Sequence, residues 1–550
     1  MKNLRLYKIA LIIASILFGN LIFLAQDTNS ILDESVEVFK QFEAQIAGAT
    51  PIEINPKFEL EEVHSPLSFE YQLPKKEFDI IYPDPVIKPL AYTDKEYIDR
   101  KNGYLKLGYG NLKSPFAEGQ LSYNIQDWFE VGLSLRHLSA DDESLLNQKM
   151  SDTYLGANVG LFLGPHSKIY LDGNTRIQDR HFYTYEPLKS MLASLELEGQ
   201  KRDINDYDIN LHFDHNSFEK RGLSSKNEVG YRHFDVNNNH KEYQLHFNNT
   251  TNKAIGKNLS VALEAGVEYF NSSIDSTYKT NTIFYQANPS LLYKKNRFDI
   301  RIGANIANPD SLQLCPTAKA NYHLDNGVSI FASVDVSYDR MGFKQIFNQN
   351  NFVTNLDIES SLDNLNFHEV KEFGVGASFQ KTKTDVLLTL NYSLEKQILS
   401  FVTMNDIELS TAYGDGNRFK ANILGSYQLN PTFKFSGDLF YQTIQSDVIV
   451  LSYLPKFGGS IRIDESIFND KLTFFQELDF RGKRDFVNTF DNSMESLDAY
   501  FDISAGLDFQ FSEWLGVFVQ AGNLLNKRYD IYNGYPSYGI NFHGGIKVIF

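Results

Sequence analysis

The stretch "RHLSADDE" sets the residues of acyl-transfer chemistry side by side: His137 as base, Ser139 as nucleophile, and Asp141 or Asp142 as the carboxylate that would orient the imidazole. The same acids with Glu143 offer the oxygen ligands that calcium takes. Neither chemistry follows from nearness along the chain. A triad needs separate elements to bring its members to hydrogen-bonding distance, and no "DxDxDG" loop accompanies the acids. His543 falls in the last strand-like stretch, on the face that alternation makes polar. Cys315 is the only cysteine, which permits no intramolecular disulfide and no thiolate-rich metal site. The sequence holds no phosphate-cradling glycine loop and no zinc spacing. The reading is a polar loop around 136–143, no catalytic or metal residue, no cofactor, and no enzyme.

The elements that would position any site are strands. Phe 43 and Tyr 31 lift the aromatics to 14%, charged residues are 22%, and prolines number 16. That composition, with Asn, Asp and Gly in short clusters, describes many strands joined by turns. From Gly103 onward apolar residues recur with period two. In "FKFSGDLFY", Phe433, Phe435, Gly437, Leu439 and Tyr441 share one face while Lys434, Ser436 and Asp438 share the other. "FKANILGSY" and "AYFDISAGLDFQF" repeat the pattern. Sandwich strands run to about five or six residues, whereas these reach the roughly 9–11 that a tilted strand needs to cross a bilayer. In lipid every backbone N–H and C=O must be paired, and a sheet achieves this only by closing on itself. The expected fold is all-β, a single transmembrane antiparallel β-barrel of about 22 strands over residues 100–550, with the in-out parity of the strands failing between Gln200 and Lys257.

Short turns such as "GPHS" (164–167) and "FND" (468–470) alternate with longer polar connections, among them "SADDESLLNQKMS", "MGFKQIFNQNNFVTNLDIESSLDNLN" and "RGKRDFVNTFDNSME". In bacterial barrels the short set faces the periplasm and the long set faces outward.

Ahead of the barrel, "MKNLRLYK" and the apolar "IALIIASILFGNLIFLA" have the layout of a secretory signal peptide over 1–25. Residues 26–99 hold seven of the prolines and one glycine, Gly48, and read as an extended Pro-rich periplasmic or lumen-facing segment. The expected location is the outer membrane of a Gram-negative bacterium. A net charge of -17 argues against nucleic acid as a partner.

The chain closes with "AGNLLNKRYDIYNGYPSYGINFHGGIKVIF". Phe542, Gly544, Ile546, Val548 and Phe550 form the outer row of a last strand that must pair with the first, so they are expected to close the barrel. A terminal aromatic after alternating apolar positions is also similar to the signal read by the machinery that inserts outer-membrane barrels. The segment as a whole resembles the end of TonB-dependent receptors, through Asn523, Leu524, Asn526, Lys527, Tyr529, Gly534, Tyr535, Pro536, Gly539 and Phe550. Ile540 stands where the family usually has Arg. Segment 26–99 does not resemble the glycine-rich plug that family members carry. "NGYLKLGYGNLKSPFAEGQLSYN" is similar to the first hairpin of a plug-less branch of the Bacteroidetes type. The resemblance implies uptake or binding of a ligand, which the sequence does not identify, together with a periplasmic or outer-membrane partner protein. The alternatives are a non-transporting scaffold or assembly component, and an open porin.

Overall fold

The computed structural model describes residues 102–550, apart from 126–127, 146, 186–187, 197–199, 217–221, 276–277, 357–366, 406, 447–451 and 469. The predicted signal peptide and the Pro-rich segment 26–99 lie outside the described residues. Strands dominate what is described. The helices among these residues are Lys189–Ser194, Phe343–Gln349 and a 3-10 turn at Asp325–Gly327.

Twenty-two strands, each antiparallel to its barrel neighbours in chain order, close into one barrel. The first strand, Gly103–Gly110, pairs on one side with Ser114–Ile125 and on the other with the last, Asn541–Ile549. The closing register runs from Tyr104↔Ile549 to Gly110↔His543. At the chain end, the Gly103 N–H donates to the Phe550 carbonyl (2.9 Å) and the Phe550 N–H donates to the Gly103 carbonyl (3.0 Å). The final residue is therefore ordered because both its backbone groups sit in the sheet. Close approach at this seam needs glycine. A Cβ on Gly545 would run into the Leu107 carbonyl, and one on Gly108 would meet the ring of Phe518 at 2.9 Å. The lumenal space left there holds Phe116, whose ring lies tilted 4.6 Å from His543 and 5.4 Å from Phe518.

Alternation assigns the two faces. Phe435, Leu439 and Tyr441 are exposed on the outside, as are Phe419, Ile423, Phe501, Leu507, Phe542, Ile546 and Phe550. The register stacks them into bands: Ile423 lies opposite Leu388 on one neighbour and Leu439 on the other. Such a belt is stable only against lipid, so the barrel spans a membrane. The inner face carries ion pairs, including Arg232–Asp208, Arg418–Glu395, Arg301–Glu264, and Asp508 between Lys106 and Lys547.

Connections at the end shared with Phe550 are short, from two residues at 296–297 to six at 217–222. Those at the opposite end include 182–200, 341–366 and 523–540, which makes that end extracellular. Three of the predicted loops carry structure of their own. "SADDESLLNQKMS" is mostly ladder, since Phe129–Asp142 and Gln148–Phe162 pair to their tips and leave 143–147 as the turn. Polar residues continue a hairpin above the membrane because its ladder remains satisfied there. The 341–366 connection contains the helix Phe343–Gln349, and the 482–499 connection contains the hairpin Arg484–Asn488 with Ser493–Leu497. Between Gln200 and Lys257 stand three strands, Lys201–Asn216, Leu223–Val236 and His240–Ala254. The last two are joined by a tight turn in which Asn237 and Asn238 take φ of 52° and 60°, a left-handed geometry that Asn tolerates. Three consecutive asparagines concealed that hairpin.

Ending the chain after Gly545 would remove Ile546, Val548 and Phe550 and leave part of Gly103–Gly110 without a partner. Each backbone group stranded in lipid costs several kcal/mol. The intact protein should show a heat-dependent shift on a denaturing gel, and the truncated chain should be degraded. Normal membrane levels of a heat-shifting truncation would show that the seam does not hold the barrel.

Candidate functional site

The extracellular mouth is spanned by an apolar core. It joins strand tips on one side, Ile204, Phe234, Val236 and Ile274, with Leu399, Phe401 and Leu409 from the tall strands Thr384–Asn405 and Glu408–Gln428. Between them lie Phe343, Ile346 and Phe347 of the short helix, then Val353, Leu356, Ile407, Tyr453, Phe486 and Tyr535. The amphipathic "FKQIF" forms a helix here because Phe343, Ile346 and Phe347 share one face and that face is buried. Solvent lies above this cap and a polar lumen below, so the hydrophobic effect holds it together, at about 1.5–3 kcal/mol for each large side chain buried. The Arg202 guanidinium is sandwiched between the rings of Phe182 (4.8 Å) and Phe347 (5.1 Å), and its Nη1 donates to the Asn351 carbonyl (2.5 Å).

The last extracellular connection, 523–540, threads this cap and is held by residues from several distant segments. At its start Asn523, with φ of 46°, donates from Nδ2 to the carbonyls of Tyr538 (2.7 Å) and Lys527 (3.1 Å), while its Oδ1 accepts the Lys527 N–H (3.2 Å). Asn526 Oδ1 accepts the Ile540 N–H (2.9 Å), and Gly539 leaves room for that side chain. The Leu524 N–H continues the ladder to the Ile503 carbonyl (2.9 Å) while its side chain is exposed. Tyr529 stacks on Tyr500 at 3.8 Å and donates its hydroxyl to Asp502 (2.8 Å). Gly534, at φ of 75°, turns the chain, and its carbonyl accepts the Thr184 hydroxyl (2.7 Å). Tyr535 is fully buried, stacked on Phe352 at 4.2 Å, with its hydroxyl donating to the Ile407 carbonyl (3.0 Å). The Pro536 carbonyl accepts both the Tyr183 hydroxyl (2.8 Å) and Gln148 Nε2 (3.0 Å). Gly534, Tyr535 and Pro536 thus form the keystone of the cap, while Asn523, Asn526 and Tyr529 anchor the connection beside the barrel wall and Leu524 faces outward.

Burial pushes the Tyr535 phenol well above its ordinary range and lifts Tyr183 to about 12, so both remain hydrogen-bond donors at any physiological pH. Burial also raises the Asp530 carboxyl, opposed by the hydroxyl of Tyr185 (2.6 Å) and by the charge of Arg484.

Several keystone contacts had no signal in the sequence. Arg528 donates to Asp142 Oδ2 (2.6 Å), Gln148 Oε1 (2.8 Å), the Ser537 carbonyl (3.3 Å) and Ser144 Oγ. Arg484 donates to the carbonyls of Ile531 (2.8 Å) and Asp530 (2.5 Å). Both arginines sit in polar stretches with no pattern of their own, and their partners are hundreds of residues or a whole hairpin away. The "RHLSADDE" residues are dispersed. His137 bonds Thr153 Oγ1 (2.8 Å), Asp141 pairs with Lys149 (3.2 Å), Glu143 with Lys113, and Asp142 with Arg528. They form no triad. Among the described residues no group of three or more His, Cys, Asp or Glu is placed to hold a metal ion.

No family model matches the sequence, and no curated protein matches it. Solved structures share the fold. The FrpB iron transporter from Neisseria meningitidis (F3-3 variant) aligns with a TM-score of 0.64 over 82% of this chain and 82% of that one, at 10% identity. The siderophore receptor PirA from Acinetobacter baumannii gives 0.62 over 82% and 80%, at 12% identity. The ferric-catecholate import receptor Fiu from K12 E. coli gives 0.61 over 82% and 82%, at 12% identity. Identity this low speaks for the fold alone, the 22-strand barrel of TonB-dependent outer-membrane receptors. It does not bear on the Bacteroidetes-type branch.

Replacing Tyr535 by Ala removes a fully buried ring from the keystone, a change that costs about 3–5 kcal/mol for large aromatic residues in cores. Hydrogen exchange should rise across 341–356 and 523–540 while the barrel keeps its heat-dependent gel shift. Unchanged exchange in these loops would show that Tyr535 does not lock the cap.

Proposed function

We propose that this barrel, which shares the fold of TonB-dependent outer-membrane receptors, is a gated receptor-like protein of the outer membrane that binds or takes up a ligand at its extracellular cap with the help of a partner protein. The observation that carries the reading is the apolar core spanning the mouth, pinned by the 523–540 connection. An open diffusion porin gains nothing from such a cap. Cap residues are buried, so exposing the lumen requires free energy from outside, and a ligand or partner supplies it only through higher affinity for the open form. Phe550 and its outer row, Phe542, Gly544, Ile546 and Val548, are proposed to serve the assembly machinery as the insertion signal.

Residues 26–99 are proposed to occupy the lumen or its periplasmic mouth. A proline-rich extended chain has fewer N–H groups to leave unpaired and loses less entropy on confinement than an ordinary one. Planar-bilayer conductance tests both closures, using the mature chain, a chain starting at Arg100, the Tyr535→Ala variant, and the two changes combined. The mature chain should conduct little and the combination should open a wide pore. A mature chain that already conducts as a wide pore overturns the gated reading. If the combination conducts no more than Tyr535→Ala alone, segment 26–99 lies outside the path as a tether. The scaffold reading then moves ahead, with proteins recovered alongside the barrel from native membranes naming its partners.

A further inference from the structure

The barrel wall is not laddered to full height everywhere. Strands Phe298–Ala307 and Gln313–His323 pair over ten residues, and Val328–Arg340 pairs with Phe367–Lys381 over thirteen. Between Gln313–His323 and Val328–Arg340 the ladder has only six pairs, from His323↔Ser329 at the periplasmic end to Ala318↔Val334. Both strands run on past the last pair, to Gln313 and to Arg340, so the seam comes apart within its outer half. Pro316, which has no N–H to leave unpaired, stands on the strand edge at that point.

Above Val334 the second strand turns inward. Asn305, facing the lumen two strands away, donates from Nδ2 to the Val336 carbonyl (2.8 Å). Tyr338 donates its hydroxyl to Gln313 Oε1 (2.9 Å) and lies 4.0 Å from Cys315 Sγ, both on the lumenal side of their strand. The upper part of Val328–Arg340 therefore laps behind Gln313–His323, as one lapel lies over another. Side-chain bonds hold the lap in place of a backbone ladder. Its inner lining is apolar: Phe270, Phe284, Ala307, Val336, Tyr338 and Phe367 form a second buried cluster. Lower on the same wall the lumenal face returns to polar pairs such as Arg301 with Glu264 (2.6 Å) and Ser290 (2.9 Å). On the outer side Leu314 is 70% exposed, so apolar surface flanks the split on both sides.

We infer that this lapped seam is a lateral slot that admits an acyl chain between the outer leaflet and the lumen. The cluster is an apolar patch between the lipid belt and a polar lumen, surroundings that suit an acyl chain rather than a water-soluble solute. A seam held by side-chain bonds opens without breaking a ladder, and an acyl chain covers the freed apolar surfaces on both sides. The source of the chain is either a leaflet lipid or a free amphiphile. The inference rests on the membrane-spanning barrel and is independent of the gated-receptor reading.

Fluorescence quenching tests it, because the two native tryptophans, Trp128 and Trp514, lie in periplasmic turns and can be replaced by Phe. In that background Phe284→Trp and Tyr338→Trp each place a reporter in the slot, Leu291→Trp reports the outer belt, and Ser426→Trp reports the lumen. One arm uses bilayers of phospholipid brominated on its acyl chains, and the other adds brominated stearic acid to unbrominated bilayers. Slot reporters should be quenched as the belt reporter is, in the first arm for a leaflet lipid or the second for a free amphiphile. Joining Cys315 to Tyr338→Cys with a short bismaleimide should return the Phe284→Trp signal to the lumenal level. Quenching of both slot reporters no greater than that of Ser426→Trp, in variants that keep the heat-dependent gel shift, overturns the slot. Quenching that survives the cross-link does so too.

Discussion

The need to pair every backbone group in lipid governs this molecule. A sheet with an apolar outer face and two free edges would leave rows of N–H and C=O groups in hydrocarbon, and only closure removes both edges at once. Closure depends on a seam between segments more than four hundred residues apart, where Gly103–Gly110 meets Asn541–Ile549. The glycines there follow from that demand. Gly108 and Gly545 let two backbones approach with the ring of Phe518 behind them, in space that any side chain would occupy. A last residue held through both its N–H and its carbonyl is the same constraint at the chain end.

A barrel this wide raises the next problem, a lumen between two aqueous compartments. The hydrophobic effect is absent between elements in lipid but fully available at the extracellular mouth, and the cap sits where it is available. Its keystone is continuous with the closing strand. Residues 523–540 pass through the cap and lead directly into Asn541–Ile549, so one stretch of chain both pins the roof and completes the wall.

The ladder between Tyr500–Gln510 and Leu515–Gly522 has six pairs but is carried on by the Leu524 N–H to the Ile503 carbonyl, whereas the ladder between Gln313–His323 and Val328–Arg340 stops at six. The strands there are also unequal, with ten and eleven residues on one side of the split against thirteen and fifteen on the other. A taller strand beside a shorter one has no ladder partner for its upper residues, and these fold inward to bury Val336 and Tyr338. Unequal strand height is thus the local cause of the lap.

The alternation of apolar and polar residues determined the barrel by itself, because a period of two assigns each side chain to lipid or lumen whatever the neighbouring strand is. Phe435, Leu439 and Tyr441 needed no partner to be placed outside. The polar termini of long strands were less legible: "SADDESLLNQKMS" has no apolar face, so nothing in its pattern separates a ladder above the membrane from a loop. The "NNN" hairpin hid for the same reason. The turn motif around Asn523 and Tyr535 could be recognised as a unit, yet its use could not. Tyr183, Ile407, Asp142 and Gln148 reach it from distant strands and loops, and only closure of the barrel brings those segments into a ring around it. The cap core is likewise tertiary. Phe234, Phe343, Phe401 and Tyr535 are scattered in sequence with no shared period, and they form one surface because a closed cylinder makes all its long loops converge on a single opening.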